Sequence, residues 1–262
     1  MKMILLAAGK GKRLRPLTND RPKCLVEIAG KTLLDWQITT ARKCGISEII
    51  VVKGYMAGSI QEDPSIKYYI NDRYGVTNMV ETLWCAENEF NDEIIISYAD
   101  ILYEERILNQ LIQAPQDINI IVDKQWRTYW EQRFPDPVQD AESLKLNTDH
   151  SISEIGKKIS DISEPDGQYI GLLKFGIGGV EAMKSLYQKT KNRSLLGEKP
   201  FGLDKAFDNL YMTDFLQGMI GAGYILHSVP IDRGWLEIDT VADYELACSI
   251  ASKSDTCLSI TG

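Results

Sequence analysis

Histidine is nearly missing from this 262-residue sequence, which has only His150 and His227. Metal chemistry built on imidazole is therefore poorly supported, and an essential ion would have to be held by carboxylates, which favours magnesium or manganese. The five cysteines, Cys24, Cys44, Cys85, Cys248 and Cys257, are odd in number and lack CxxC spacing. That argues against a disulfide framework or a zinc site and reads as reduced thiols in a cytoplasmic protein. Positive charge is in deficit: 29 Lys and Arg against 37 Asp and Glu leave a net charge of −8. An extended nucleic-acid footprint is not expected on such a chain. No apolar run reaches membrane-spanning length, and the apolar part of the opening MKMILLAAGKG is too short for a secretory h-region.

What is present is ordinary globular material, 44% hydrophobic and 25% charged, in apolar runs that alternate with amphipathic ones. MKMILLA, EIIVVKG, IKYYI, EIIISYAD and INIIVD read as strands, with YIGLLKFG, YILHSVP and GWLEI later in the chain. TLLDWQITTARKCG reads as a helix with a Thr32-x-x-Asp35 capping box and Gly45 as its stop, and NMVETLWCAENEF as a helix opened by Asn78. Further helices are read in GVEAMKSLYQKTK, MTDFLQGMIGAG and TVADYELACSIAS. Near-continuous apolar strands between helices imply an α/β fold, a Rossmann-like and mostly parallel sheet covered on both faces. One domain is expected over 1–251, with a polar, aromatic stretch at 124–171 as an inserted lobe covering a substrate and a frayed tail at 252–262. In such folds ligands gather at the carboxyl ends of strands.

The first strand ends in LLAAGKGKRLRPLT. A Walker A loop and a dinucleotide fingerprint are both excluded by spacing, because Leu14 stands where each requires its next motif residue. What remains is a pair of glycines that admit a ligand to the backbone, followed by Lys10, Lys12, Arg13, Arg15 and Lys23. Backbone amides and several cations suit a polyphosphate, although GKGK alone equally fits a solvated turn. Two carboxylates end later strands: Asp100 closes IIISYAD, and Asp239 closes GWLEID just before a Thr240-x-x-Asp243 cap. Taken singly, each is also explained as a turn residue or a helix cap.

LAAGKGKRLRPLT followed by RPKCLVEIAGKTLLDW closely resembles the opening of the sugar-phosphate nucleotidyltransferase family, nearly residue for residue from Leu6 to Leu34. The resemblance implies that the loop wraps a nucleoside triphosphate, with Leu6, Ala7, Ala8, Gly9 and Gly11 against it. It places Arg13 on the β- and γ-phosphates, Lys23 near the α-phosphate, and Asp100 and Asp239 on Mg2+, with Mn2+ an alternative. Glu237, in the same string as Asp239, has a supporting role on this reading. The series YGVTNMVETLWCA, ISYADILY, GQYIGLLKF and GWLEIDTVADYELA is similar to the small cytidylyltransferase subgroup, related to phosphocholine and 2-aminoethylphosphonate cytidylyltransferases, over about residues 2 to 250. On this resemblance the partners are CTP and a small phosphorylated or phosphonate amine. The chemistry is in-line attack on the α-phosphate with release of pyrophosphate. A homodimer is allowed but not required, and membrane or nucleic-acid partners are not expected. Products of this kind usually serve capsule or other surface polysaccharides.

Within that reading Asn78, with Thr77 and Gly75, faces the base or ribose, though Asn78 is also a plausible simple cap. Lys157 or Lys158 approaches the acceptor phosphoryl group beside Tyr169 and Gly171, unless the two lysines merely face solvent. Trp126, Tyr129 and Trp130 offer aromatic faces to an ammonium, with Asp136, Asp140 and Glu142 as charge partners. Trp126 and Trp130, one helical turn apart, equally suit plain packing. Other readings are a UTP- or dTTP-dependent sugar-1-phosphate enzyme and a catalytically silent regulatory homologue. The loop cations and both aspartates that a silent homologue usually loses are all in place here.

Overall fold

The computed structural model describes residues 1–253. The tail expected from residue 252, Cys257 included, lies outside them apart from the last two residues of the final helix. In chain order the strands and helices are β1 (Lys2–Ala7), β2 (Glu27–Ile28), β3 (Lys31–Thr32), α1 (Leu33–Lys43), β4 (Glu48–Lys53), β5 (Ile66–Ile70) and α2 (Met79–Trp84). Then follow β6 (Ile94–Tyr98), β7 (Ile101–Tyr103), α3 (Glu105–Gln113), β8 (Ile118–Asp123), α4 (Trp126–Arg133), β9 (Glu142–Leu146) and β10 (Ile152–Lys158). The chain ends with β11 (Gln168–Phe175), α5 (Ile177–Leu195), α6 (Met212–Gly221), β12 (His227–Ile231), β13 (Trp235–Glu237) and α7 (Val241–Lys253).

Seven strands form the main sheet in the order β12-β8-β11-β6-β1-β4-β5. All neighbouring pairs are parallel except those of β11, which runs antiparallel to β6 and β8. This is the mixed, mostly parallel sheet expected of the sequence. Alternation along β1 builds a core on each face. Met3, Leu5 and Ala7 join the side packed by α1, α3 and α4, while Ile4 and Leu6 join the side packed by α2, α5 and α6. Burying each such large aliphatic side chain contributes about 1.5–3 kcal/mol. The caps are those the residues call for. Thr32 Oγ1 accepts the Asp35 N–H at 3.0 Å, and Gly45 takes φ +85° beyond the end of α1. The expected NMVETLWCAENEF helix is shorter, ending at Trp84 before a single 3-10 turn.

The stretch 124–171 divides instead of standing apart as a cover. Its first helix, α4, buries Trp126, Tyr129 and Trp130 in the same core as β1 and α1, and its last residues already lie in β11 of the main sheet. The β9–β10 hairpin alone forms its own two-stranded sheet, seated on α6 where Gly156 leaves no room for a Cβ beside Thr213.

Candidate active site

The carboxyl ends of β1 and β6 lie side by side, because the two strands are paired in parallel and Ala99 N donates to the Leu6 carbonyl. Past β6 the chain turns at Asp100 into β7, which pairs antiparallel with β13 so that Glu237 stands opposite Ile101. Ile238 N then donates to the Asp100 carbonyl at 2.8 Å, which sets Asp239 next to Asp100 although 139 residues separate them in sequence (239 − 100). The Asp100 turn is pinned from below by buried Gln37, whose Nε2 donates to the carbonyls of Tyr98 and Ile101 at 2.8 and 2.5 Å.

One ammonium joins these acids. Lys23 Nζ lies 2.6 Å from Asp100 Oδ2 and 2.5 Å from Asp239 Oδ1, with the lysine side chain only 10% exposed. Arg13 pairs with the other oxygen of Asp239 and lies 3.6 Å from Asp140, its side chain 61% exposed. Lys23 is seated by the glycine loop: Gly11 has φ +57°, and a Cβ there would stand 3.0 Å from Lys23 Cβ and 3.1 Å from the Thr18 methyl. Thr18 Oγ1 donates to the Gly11 carbonyl at 2.7 Å. A positive φ and a closed space together require glycine at position 11. On the other side, Gly54 lets the end of β4 approach Ala8, where a Cβ would stand 2.7 Å from the Ala8 methyl and 2.9 Å from its backbone.

Leu6, Ala7, Ala8, Gly9, Lys23, Asn78 and Asp100 line one cavity of about 220 Å3. Thr77, Tyr74, Thr82 and Tyr98 complete its wall. Asn78 is both lining and cap, since its Oδ1 accepts the Met79 N–H at 2.9 Å. Nothing lies within 4 Å of a Cβ built on Gly9, and Lys10 Nζ sits 5.3 Å from the Tyr74 ring centre. Tyr98 was not singled out by sequence reasoning. A polar aromatic interrupting an otherwise apolar strand just before Asp100 was the available signal.

The group assigned to the acceptor is only partly brought to this place. Trp126, Tyr129 and Trp130 are 3%, 1% and 4% exposed and pack edge-on against one another and Trp235. Their faces are taken up by the core and by the Arg133 and Arg233 guanidiniums, so they cannot present a cation box. Lys157 pairs with Glu154 on its own strand and lines a separate cavity of about 630 Å3 between α5, α6 and β10. Lys158 is exposed, opposite Glu142 in the hairpin register. Tyr169 stands edge-on to Tyr98 with ring centres 5.7 Å apart. Gly171, at φ +84°, leaves the space that the Tyr98 ring fills, since a Cβ would meet that ring at 2.6 Å. Tyr169 and Gly171 therefore back the wall of that cavity.

An acidic wall adjoins the Lys23 group. Glu142 is exposed as a residue, yet lost hydration at its carboxyl, followed by the charges of Asp214, Asp140 and Glu237, pushes its pKa up to about 7 against a hydrogen bond with Thr213. Burial likewise pushes Glu237 up, against the pull of Arg133 and with a further push from Asp100. Among the described residues no ion pair reaches Glu142, whereas Asp214 is paired with Lys205 at 2.7 Å. The fit for a divalent ion is good. Asp100 Oδ1 is buried without a hydrogen-bond partner, and a cationic nitrogen already bridges both carboxylates. No cluster of three or more candidate ligands occurs among the described residues, so phosphate oxygens and water would complete the shell.

A mixed, mostly parallel sheet with a glycine loop, loop cations and paired aspartates at the strand ends suits a nucleotidyltransferase. The chain belongs to the MobA-like NTP transferase domain family, whose pattern matches residues 3–199. It is 40% identical over 257 residues to the CTP:phosphoglutamine cytidylyltransferase of Campylobacter jejuni subsp. jejuni serotype O:2, covering 94% of this chain and 98% of that one. It is 32% identical over 117 residues to the choline-phosphate cytidylyltransferase of Streptococcus pneumoniae, covering 44% of this chain and 51% of that one. The solved CTP:phosphocholine cytidylyltransferase of Streptococcus pneumoniae shares the fold, with a TM-score of 0.73 at 24% identity over 95% of this chain and 98% of that one.

Proposed function

We propose that this enzyme transfers CMP from CTP to a small phosphorylated or phosphonate acceptor that carries an amino group, releasing pyrophosphate. The observation that carries the reading is the Lys23 ammonium held between Asp100 and Asp239 at the cavity lined by the glycine loop. CTP as donor is supported by the likeness to the Campylobacter enzyme along nearly the whole chain. The amino group is supported by the acidic wall, in which Glu142 shares a hydrogen bond with Thr213 but has no ion-pair partner among the described residues. Phosphoglutamine, named for that relative, fits these requirements.

Asp100 and Asp239 would hold the divalent ion, Mg2+ or Mn2+, which supplies charge neutralisation for the α-phosphate and the departing pyrophosphate. The backbone of Ala7 to Gly9 receives the nucleoside. Lys23 turns its ammonium from the aspartates to the α-phosphate, and the exposed Arg13 takes the terminal phosphates. The acceptor's phosphoryl oxygen is already anionic at neutral pH, so no general base is required and the scarcity of histidine is no obstacle. Positioning and charge neutralisation supply the acceleration.

A coupled pyrophosphate assay tests this, with CTP, UTP, dTTP, ATP and GTP each crossed against phosphoglutamine, phosphocholine, 2-aminoethylphosphonate, phosphoethanolamine, glycerol phosphate and glucose 1-phosphate. Turnover is expected with CTP and an amine-bearing acceptor. Turnover only with UTP or dTTP and the sugar phosphate would replace this reading with the sugar-1-phosphate one. No pyrophosphate from any pair would point to the silent homologue.

A further inference from the structure

Arg133 is 1% exposed at its side chain, and its main partner, Asp243, is 0% exposed. Arg133 Nε donates to Asp243 Oδ1 at 2.8 Å and Nη2 to Oδ2 at 3.3 Å. The same Oδ2 accepts the backbone N–H of Asp239 at 3.1 Å and of Thr240 at 2.8 Å. Arg133 Nη1 makes a charge contact of 2.7 Å with Glu237. One helical turn earlier, the Tyr129 hydroxyl accepts the Glu237 N–H at 2.8 Å and donates to the Glu237 carbonyl at 3.3 Å. The guanidinium lies 4.9 Å from the ring centres of both Trp130 and Phe134.

A buried ion pair is a poor way to gain stability, because desolvation offsets most of the attraction and a well-packed apolar substitute is often as good. This one lies against the rings of Trp130 and Phe134, where an apolar side chain is the alternative. What it does fix is the backbone on both sides of Ile238, and hence the direction of the Asp239 carboxylate. We infer that α4 is a positioning element for the metal site, Arg133 and Tyr129 acting through Asp243 and Glu237 to hold Asp239 beside Asp100. This rests on the reading of Asp239 as a metal ligand. It also gives a use to the aromatic stretch that an acceptor role does not explain.

The test is Mn2+ binding to the CTP-loaded full-length protein without acceptor, followed by electron paramagnetic resonance. The proteins are wild type, Arg133→Lys, Arg133→Met and Tyr129→Phe, each with its melting temperature and its metal-free CTP affinity measured alongside. Loss of a residue that orients a ligand typically weakens metal binding about 10–100-fold. Arg133→Met is expected in that range, with Arg133→Lys recovering part of the loss and Tyr129→Phe shifting the midpoint a few-fold in the same direction. Metal-free CTP affinity should stay within about twofold, as the nucleotide cavity does not include α4. Wild-type Mn2+ midpoints in the folded variants would overturn the inference. Should the Arg133 variants fail to fold, Tyr129→Phe decides alone, since it removes only a hydroxyl. No saturable Mn2+ binding by wild type would instead refute the metal reading of Asp239.

Discussion

At the scale of single residues, Lys23 is tightly held, bonded to two carboxylates and walled in by Gly11. On the proposed reading its ammonium acts mainly on charge that develops at the α-phosphate. Lys23→Ala should therefore lower kcat by about 10²–10³-fold, the loss typical of removing one transition-state donor, and CTP affinity by much less. Asp100→Asn and Asp239→Asn should each lower turnover by at least about 10²-fold with the melting temperature little changed, as checked by pyrophosphate release and calorimetry. Glu142 gives a prediction in pH. Its pKa is raised to about 7 by lost hydration, Asp214, Asp140 and Glu237, so it becomes an anion as pH rises through that value, while an acceptor amine stays cationic. The acceptor KM should fall as pH rises through about 7, and Glu142→Gln should flatten the profile. The sign for stability is opposite. A carboxyl pKa raised from its ordinary 4.5 to about 7 stabilises the fold below the lower value, and that contribution is lost as pH rises through the upper one, so Glu142→Gln should melt higher than wild type at and above about 7 and not in acid.

Among the elements, an irregular position within a strand can decide as much as the regular ones. The Gly171 position in β11 borders Tyr98, and Gly171→Ala would force a Cβ to 2.6 Å from that ring at φ +84°. The expected cost is about 1–3 kcal/mol in stability, with weaker CTP binding because Tyr98 lines the cavity; urea unfolding and calorimetric titration would read the two effects. Strands β1, β4, β6 and β8, the Thr32 cap and the glycine loop were legible from the sequence, because apolar runs and capping residues act locally. The place of α4 was not. Trp126 and Trp130 at helical spacing suit a ligand face and a core face alike, and only the docking of Trp235 against Tyr129 and Trp130 settles which. Arg133 was equally hidden, since its partners Glu237 and Asp243 are more than a hundred residues away (237 − 133 = 104 and 243 − 133 = 110).

For the whole molecule, a fold built on long-range pairing brings loop, strand end and C-terminal segment to one point. Lys23, Asp100 and Asp239 were individually readable because each sits in a local motif, but their mutual contact depends on the antiparallel β7–β13 pair. The acidic wall of Glu142, Asp140 and Asp214 was legible only in fragments, because its members come from the hairpin, its approach and α6. The central claim is that Asp100 and Asp239 act as one unit upon a single ion. The most direct measurement is a double-mutant cycle on pyrophosphate release from CTP with an active acceptor, using Asp100→Asn, Asp239→Asn and the pair combined. Two ligands of one ion predict a double variant hardly slower than the worse single one. Losses that multiply in full would show two independent carboxylates and contradict the account.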